Sequence, residues 1–394
     1  MGGSAGHGRR RRGACAAHLP VPPVRGEGGV RPLVLGAGPA GCAAAIVLAR
    51  GGAAPVLMDR SRTPGDALCG GFLSWRTVRN LQALGVDAEG AGAVRVTRLR
   101  YFGHGEPIEA ALPEPGLGLS RHALDSALRR AAIAAGAQER IDHALDVAPG
   151  RVRTRAGEHT PGAIFLASGK HDVRGQPRPR LADDPVLGCR VRLCGDPELQ
   201  RVIGDAVELH CFAGGYAGIV RQENGTVNIC MAVHKSRLAG AGGDLHRLFA
   251  QLAVQNPQLG RRLDHVPAHE AIQSIGAVPY GFIARETSCG LFRLGDQAAV
   301  IPSLAGEGVS IALTSGIAAA SAYLRGGPEA APAFQRRFAR LVRRPVGAAA
   351  LLWRVSELRE HGVVAERVAR LFPWLLPMAM NASRVSQPSW VTQP

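Results

Sequence analysis

Lysine is nearly absent from this chain: among 47 basic residues only Lys170 and Lys235 are lysines. The formal charge of +16 is therefore carried by arginines scattered through every region. Aromatic residues make up only 5% of the chain, and no stretch interleaves them with basic ones. That pattern excludes a single-strand nucleic-acid platform, which needs stacked rings along a cationic groove; no nucleic-acid partner is expected. Zinc-type cysteine pairs are also missing. The eight cysteines include no C-x-x-C, and Cys189 and Cys194 flank two arginines, a poor setting for a dication. No metal site is expected, and the thiols read as buried apolar groups of a reduced, cytoplasmic protein. Residues 1–29 lack the apolar core of a signal peptide and read as a disordered basic leader. Pro32 to Ala49 carries no charge and reaches the roughly 18 residues of a membrane span. Three glycines and a proline within six of those residues argue against one continuous helix.

What is abundant is glycine, and it is placed. Gly36-Ala37-Gly38-Pro39-Ala40-Gly41 follows the apolar run Leu33-Val34-Leu35. A strand that feeds a helix through G-x-G-x-x-G is a dinucleotide-binding arrangement. Gly36 permits the turn, Gly38 lets the backbone approach a pyrophosphate, and Gly41 lets helix pack on strand. The helix over roughly 40–50 then aims its N-terminal N–H groups at the phosphates. Pro55-Val56-Leu57-Met58 reads as the next strand, and Asp59 at its end accepts from ribose hydroxyls. A second Gly-rich stretch begins at Gly295-Asp296 and runs through Pro302 to Gly306-Glu307-Gly308, ahead of the apolar Val309-Ser310-Ile311.

Between these stretches the periodicity changes. Alternating segments near 94–102 and 106–112 read as strands, and Ser120-Arg121 opens a helix with apolar residues at i, i+4, i+7 and i+8. Short strands are expected around 141–147 and 151–155, and a buried one over Ala163–Ala167. A β-rich block covers about 186–234, with a tight hairpin at Asn224-Gly225. Residues 244–264 and most of the chain after Gly308 read as helical. The expected fold is α/β: a Rossmann-like nucleotide-binding domain with an inserted antiparallel substrate sheet and a C-terminal helical segment. In residue numbers, the nucleotide domain takes 30–70, 115–180 and 270–325, and the substrate domain 71–114 and 181–269. The helical region takes 326–394.

Several of these motifs resemble one superfamily, the FAD-dependent aromatic-ring monooxygenases together with the geranylgeranyl reductases, over roughly residues 31–325. The resemblance implies FAD as cofactor, with NADPH or NADH as electron donor. It implies that Gly36, Gly38, Pro39, Ala40, Gly41, Asp59 and Arg60 form the first FAD motif, and that Arg121 helps hold the pyrophosphate. Ala167-Ser168-Gly169-Lys170-His171-Asp172 is similar to the mid-chain motif; Ser168 stands where monooxygenases usually carry an acid, and serine cannot supply that charge. Gly295, Asp296, Gly306, Gly308 and Val309 resemble the late motif that meets the ribityl chain and the ring. Cys69-Gly70-Gly71 is similar to the Cys-Gly stretch that reductase-like members place near the ring. Cys69 and Tyr216 are accordingly the catalytic candidates.

The leading expectation is a monooxygenase acting on a lipophilic or aromatic secondary metabolite. The alternative is a reductase of isoprenoid double bonds, and a further one is a non-redox flavin cyclase, isomerase or FAD-stabilised binding protein. The expected partner is a small lipophilic substrate, and the oligomeric state is left open. The apolar C-terminal stretches around Leu351 and Leu371–Pro377, with nearby arginines, read as a helical cap or as a peripheral membrane contact.

Overall fold

The computed structural model describes residues 31–103, 106–179, 182–357 and 375–385. The basic leader and the stretch Leu371–Trp374 lie outside the described residues.

Five parallel strands stand side by side in the order Leu291–Arg293, Ile164–Leu166, Leu33–Leu35, Val56–Asp59 and Gln138–Ile141. Leu33–Leu35 and Ile164–Leu166 are buried at every position, as parallel strands covered on both faces must be. The strand expected around 141–147 resolves into two. Gln138–Ile141 joins this sheet as its edge, while Ala144–Ala148 pairs with Arg151–Thr154 in a small separate sheet.

The helix Pro39–Arg50 is buried from Pro39 through Leu48. A helix apolar on all sides belongs inside a protein, and its alanines and glycine keep it thin. It packs against the long helix Gly308–Gly326, also buried along most of its length. The approach is very close at Gly316, where a Cβ would stand 2.3 Å from the Ala40 carbonyl oxygen. This contact sets the two Gly-rich turns, far apart in sequence, next to each other.

The second sheet has eight strands in the order Gln273–Val278, Val186–Leu193, Thr226–His234, Gly215–Gln222, Ala206–Phe212, Val94–Phe102, Ile108–Gly118 and Phe72–Leu73. It is antiparallel as expected, except that Ala206–Phe212 and Val94–Phe102 run parallel. That one parallel pair joins the early and late parts of the sheet. Asn224 and Gly225 take left-handed φ values of 56° and 67° in the turn between Gly215–Gln222 and Thr226–His234, the conformation these residue types tolerate. Helices Leu245–Gln255 and Pro257–Leu263 cover one face of the sheet through Leu248, Phe249, Leu252 and Leu259. Its other face looks toward the parallel sheet. The helices Ala331–Glu357 and Leu375–Ala382 close the side of the gap. Among the described residues no helix is long and apolar enough to cross a membrane.

Gly316→Ala tests the helix contact. In an open helix the change stabilises by up to about 1 kcal/mol; here the overpacking is expected to cost about 1–3 kcal/mol instead, read as a fall in Tm.

Candidate functional site

A cavity of about 390 Å³ lies between the two sheets. Its first wall is backbone. Gly38, Pro39 and Ala40 line it from one side, and Gly295, Asp296, Gly306, Gly308 and Val309 from the other. Gly36 and Gly41 do not line the cavity; they make the turn possible. Gly36 has φ +106°, and a Cβ there would lie 2.4 Å from the Ala167 carbonyl oxygen. A Cβ at Gly41 would lie 1.8 Å from the carbonyl oxygen of Gly36. Neither helix that points at the cavity is capped by a side chain at its N-terminus: Gly38 and Glu307 occupy the cap positions without such a bond. Two positive dipole ends with open N–H groups therefore meet at one place.

Asp59 stands outside the cavity lining. One carboxylate oxygen accepts from the Ala37 N–H at 2.8 Å and the other from the Ser61 N–H at 2.9 Å. It braces the Gly-rich turn, and the second lone pair of each oxygen remains for a ribose hydroxyl. Arg60 is exposed beyond it and does not line the cavity. Arg121 does line it, beside Gly38. Ser120 caps its helix by accepting from the Ala123 N–H at 3.1 Å, and Asp125 holds the guanidinium through two bonds of 2.9 and 2.7 Å. Burial works against the Arg121 charge, yet the Asp125 carboxylate outweighs it and pushes its pKa up.

The late turn is tied to the mid-chain motif by two side chains. Arg178 donates to Asp172 at 2.7 Å, to the Lys170 carbonyl at 2.7 Å and to the Asp296 carbonyl at 2.9 Å. Gln297 donates to the carbonyls of Gly169 and His171 at 2.9 and 3.0 Å. Ser168 donates to the His171 carbonyl at 2.8 Å. Glu307, fully buried between the two late glycines, accepts from Arg384 at 2.5 Å. Arg384 also donates to the Ala305 carbonyl at 2.7 Å and lies 4.7 Å over the Trp75 ring.

The loop carrying Cys69, Gly70 and Gly71 lines the cavity too. Five consecutive carbonyls of this loop are captured. Arg190 donates to those of Asp66 and Ala67 at 2.8 and 3.1 Å, and Lys170 to that of Leu68 at 2.7 Å. Asn228 donates to those of Cys69 and Gly70 at 3.2 and 2.9 Å. The Cys69 thiol accepts from the Gly71 N–H at 3.5 Å. Tyr216 is buried and reaches the same cavity, where its hydroxyl donates to Ser303 at 2.5 Å. Tyr280 and Cys230 also line it, and sequence reasoning named neither as a site residue. It likewise missed Arg190, Asn228, Ser303 and Arg384. For Arg190 and Asn228 the signal was weak: a polar residue in a strand reads as solvent-facing until the second layer is known. Among the described residues no group of three or more His, Cys, Asp or Glu side chains is placed to hold a metal ion.

The uncapped helix ends, the glycine floor and Arg121 suit a diphosphate, and the long apolar-walled cavity suits a flat ring beyond it. The comparisons agree. Residues 30–152 match the family described as FAD binding domain. A menaquinone reductase of Mycolicibacterium smegmatis is 28% identical over 316 residues, covering 75% of this chain and 76% of the relative. The flavin-dependent brominase Bmp2 superposes with TM-score 0.68 at 17% identity, covering 90% of each chain. A geranylgeranyl bacteriochlorophyll reductase-like protein of Thermoplasma acidophilum does so with TM-score 0.63 at 18% identity, covering 92% of this chain and 94% of that one. At those identities the two structures show the fold alone. The chain carries an FAD binding domain over residues 30–152 and is an FAD-dependent oxidoreductase.

Removing the cation from the cradle tests its part in FAD binding. Arg121→Met paired with Asp125→Asn, which avoids a stranded buried charge, is expected to weaken FAD binding about 10- to 100-fold. Flavin fluorescence titration of the apoprotein measures it.

Proposed function

We propose that this enzyme is a flavin-dependent reductase that saturates a carbon–carbon double bond of a lipophilic, isoprenoid-type or quinone-bearing molecule. The observation that carries the reading is a set of proton-bearing groups, Cys69, Cys230, Tyr216, Tyr280 and Ser303, on a mostly apolar cavity next to the glycine wall. A hydroxylase needs few such groups in its pocket, whereas reduction of a double bond needs a proton at a defined place. The mycobacterial relative named menaquinone reductase supports the same direction.

Bound in the cradle and reduced, FAD supplies a hydride equivalent. The protein does the rest. Gly38–Ala40, Arg121, Asp296 and Gly306–Val309 would hold the cofactor, and Asp59 keeps the first turn in shape. The loop held by Arg190, Lys170 and Asn228 keeps the Cys69 thiol at the cavity wall. Cys69 Sγ would give its proton to the substrate carbon that does not receive the hydride, its S–H bond breaking as the C–H bond forms. The thiolate left behind lies in the field of the Arg121 cation. Burial pushes the Cys230 thiol up to about 12, so it stays protonated and is no competing nucleophile.

NADPH or NADH is the proposed donor. The test is anaerobic turnover of the FAD-loaded enzyme with a short-chain menaquinone analogue, using NADPH, NADH or dithionite as reductant. After reoxidation of the ring to the quinone in air, the expected product is heavier by two hydrogens in its isoprenoid side chain, and Cys69→Ser is expected to slow its formation about 10²-fold without changing FAD content. A product formed in air and heavier by one oxygen would instead assign a monooxygenase.

The C-terminal helices fit collection of such a substrate from an anionic membrane surface. Arg336, Arg337, Arg340, Arg343, Arg344 and Arg354 are exposed along Ala331–Glu357, and Leu351 and Met378 are 63% and 58% exposed. Leu352, Val355 and Met380 from the same two helices line the cavity. Co-sedimentation with phosphatidylglycerol vesicles at low salt is expected. Arg336→Glu with Arg340→Glu should weaken it by at least about 1 kcal/mol per arginine, and absence of binding to such vesicles would remove this part of the reading.

A further inference from the structure

The serine hydroxyls that line the cavity differ in one respect. Ser356 donates to the Trp353 carbonyl at 2.7 Å, and Ser383 to the Met380 carbonyl at 2.9 Å. Each turns back on its own helix and offers no proton to the cavity. Ser303 does not turn back. It is exposed toward the cavity, accepts from the Tyr216 hydroxyl at 2.5 Å, and lies 2.7 Å from the Tyr280 hydroxyl.

Three hydroxyls carry three protons, and two contacts join them. The Tyr216 proton is used on Ser303. In the second contact either Ser303 donates, leaving the Tyr280 proton free, or Tyr280 donates, leaving the Ser303 proton free. In both arrangements one O–H has no acceptor among the described residues and opens on the cavity. Burial pushes both phenols up, so both remain protonated donors at neutral pH. Trp353 fixes the pair from behind, with ring centroids 5.5 Å from Tyr216 and 5.2 Å from Tyr280. Leu209 and Leu304 pack in the same apolar cluster as the two tyrosines and Trp353. A donor left open to the cavity favours a ligand that brings an acceptor to it.

We infer that the Tyr216–Ser303–Tyr280 cluster is the site that recognises an oxygen acceptor, a carbonyl or quinone oxygen, on an otherwise apolar substrate. The inference deepens the reductase reading and rests on it for the substrate class. The cluster sets which molecule is held and in which orientation. It is a binding and orienting element, distinct from the Cys69 proton source. Ser303 belongs to the turn that precedes Gly306, so an oxygen held there lies beside the late glycine wall.

Binding of two probes tests it: menadione, a small quinone, and 2-methylnaphthalene, its counterpart without oxygen. Both are titrated by calorimetry into the protein with and without FAD, so that failure of the flavin reading does not blur the outcome. The wild-type protein is expected to prefer menadione about tenfold or more, the ratio given by one hydrogen bond in an apolar site. Ser303→Ala and Tyr280→Phe are each expected to remove that preference while leaving hydrocarbon affinity within about twofold. Equal loss of both probes would show that these residues only pack the wall. Unchanged menadione affinity in both variants would place the acceptor elsewhere; either result overturns the inference. Unchanged flavin content and Tm in both variants separate it from any failure of the cofactor site.

Discussion

The near-contact of two helices, Pro39–Arg50 and Gly308–Gly326, is the constraint on which the site depends. Gly316 faces Ala40, Ala43 and Ala44 across that seam, and a single Cβ at Gly316 would press on the Ala40 carbonyl. Because the helices lie this close, their N-termini open on the same cavity with no side chain capping either one. Two half-charges of the same sign would repel unless an anion lay between them. The seam therefore stores the geometry of an anion cradle, and Arg121 adds a full charge to it. Interior packing of this density leaves little freedom to shift, so the cradle is rigid before any cofactor arrives.

A different principle holds the chemical side of the cavity. The loop at Cys69 has no regular secondary structure of its own to hold it; it is half-exposed, and side chains from other elements hold it through its backbone oxygens. Arg190 and Asn228 from the large sheet and Lys170 from the mid-chain motif take five carbonyls in a row. The substrate sheet is thus part of the scaffold that positions the thiol, as well as a roof over the cavity. Lys170 has a particular place here: two residues after Ser168 in the mid-chain segment, its ammonium group is engaged with the loop.

How far the site was legible depended on the range of each interaction. Gly36 to Gly41 and Asp59 lie within one strand–turn–helix–strand unit, so their pattern shows in a short window. Ser120-Arg121 is a local cap and was legible for the same reason. Gly295-Asp296 was legible as a turn, but the strand that feeds it, Leu291–Arg293, has only three residues and gives no periodicity to read. Gln138–Ile141 is a polar edge strand, and its sequence does not alternate with burial. Tyr280 and Ser303, 23 residues apart, and Glu307 and Arg384, 77 apart, leave no local trace at all.

Sequence alone determined the nucleotide-binding turn, the α/β class, the inserted sheet and the presence of a thiol beside two glycines. These rest on backbone conformations and short periodicities that a few neighbouring residues dictate. Only the tertiary structure decided which polar groups face the cavity and which are consumed elsewhere. It turned Asp59 from a cofactor contact alone into a brace of the turn. It placed Arg60 outside, and it gave Tyr216 two hydroxyl neighbours. Those outcomes depend on which strand pairs with which and on what a buried oxygen finds within 3 Å, and no local window of the chain contains that information.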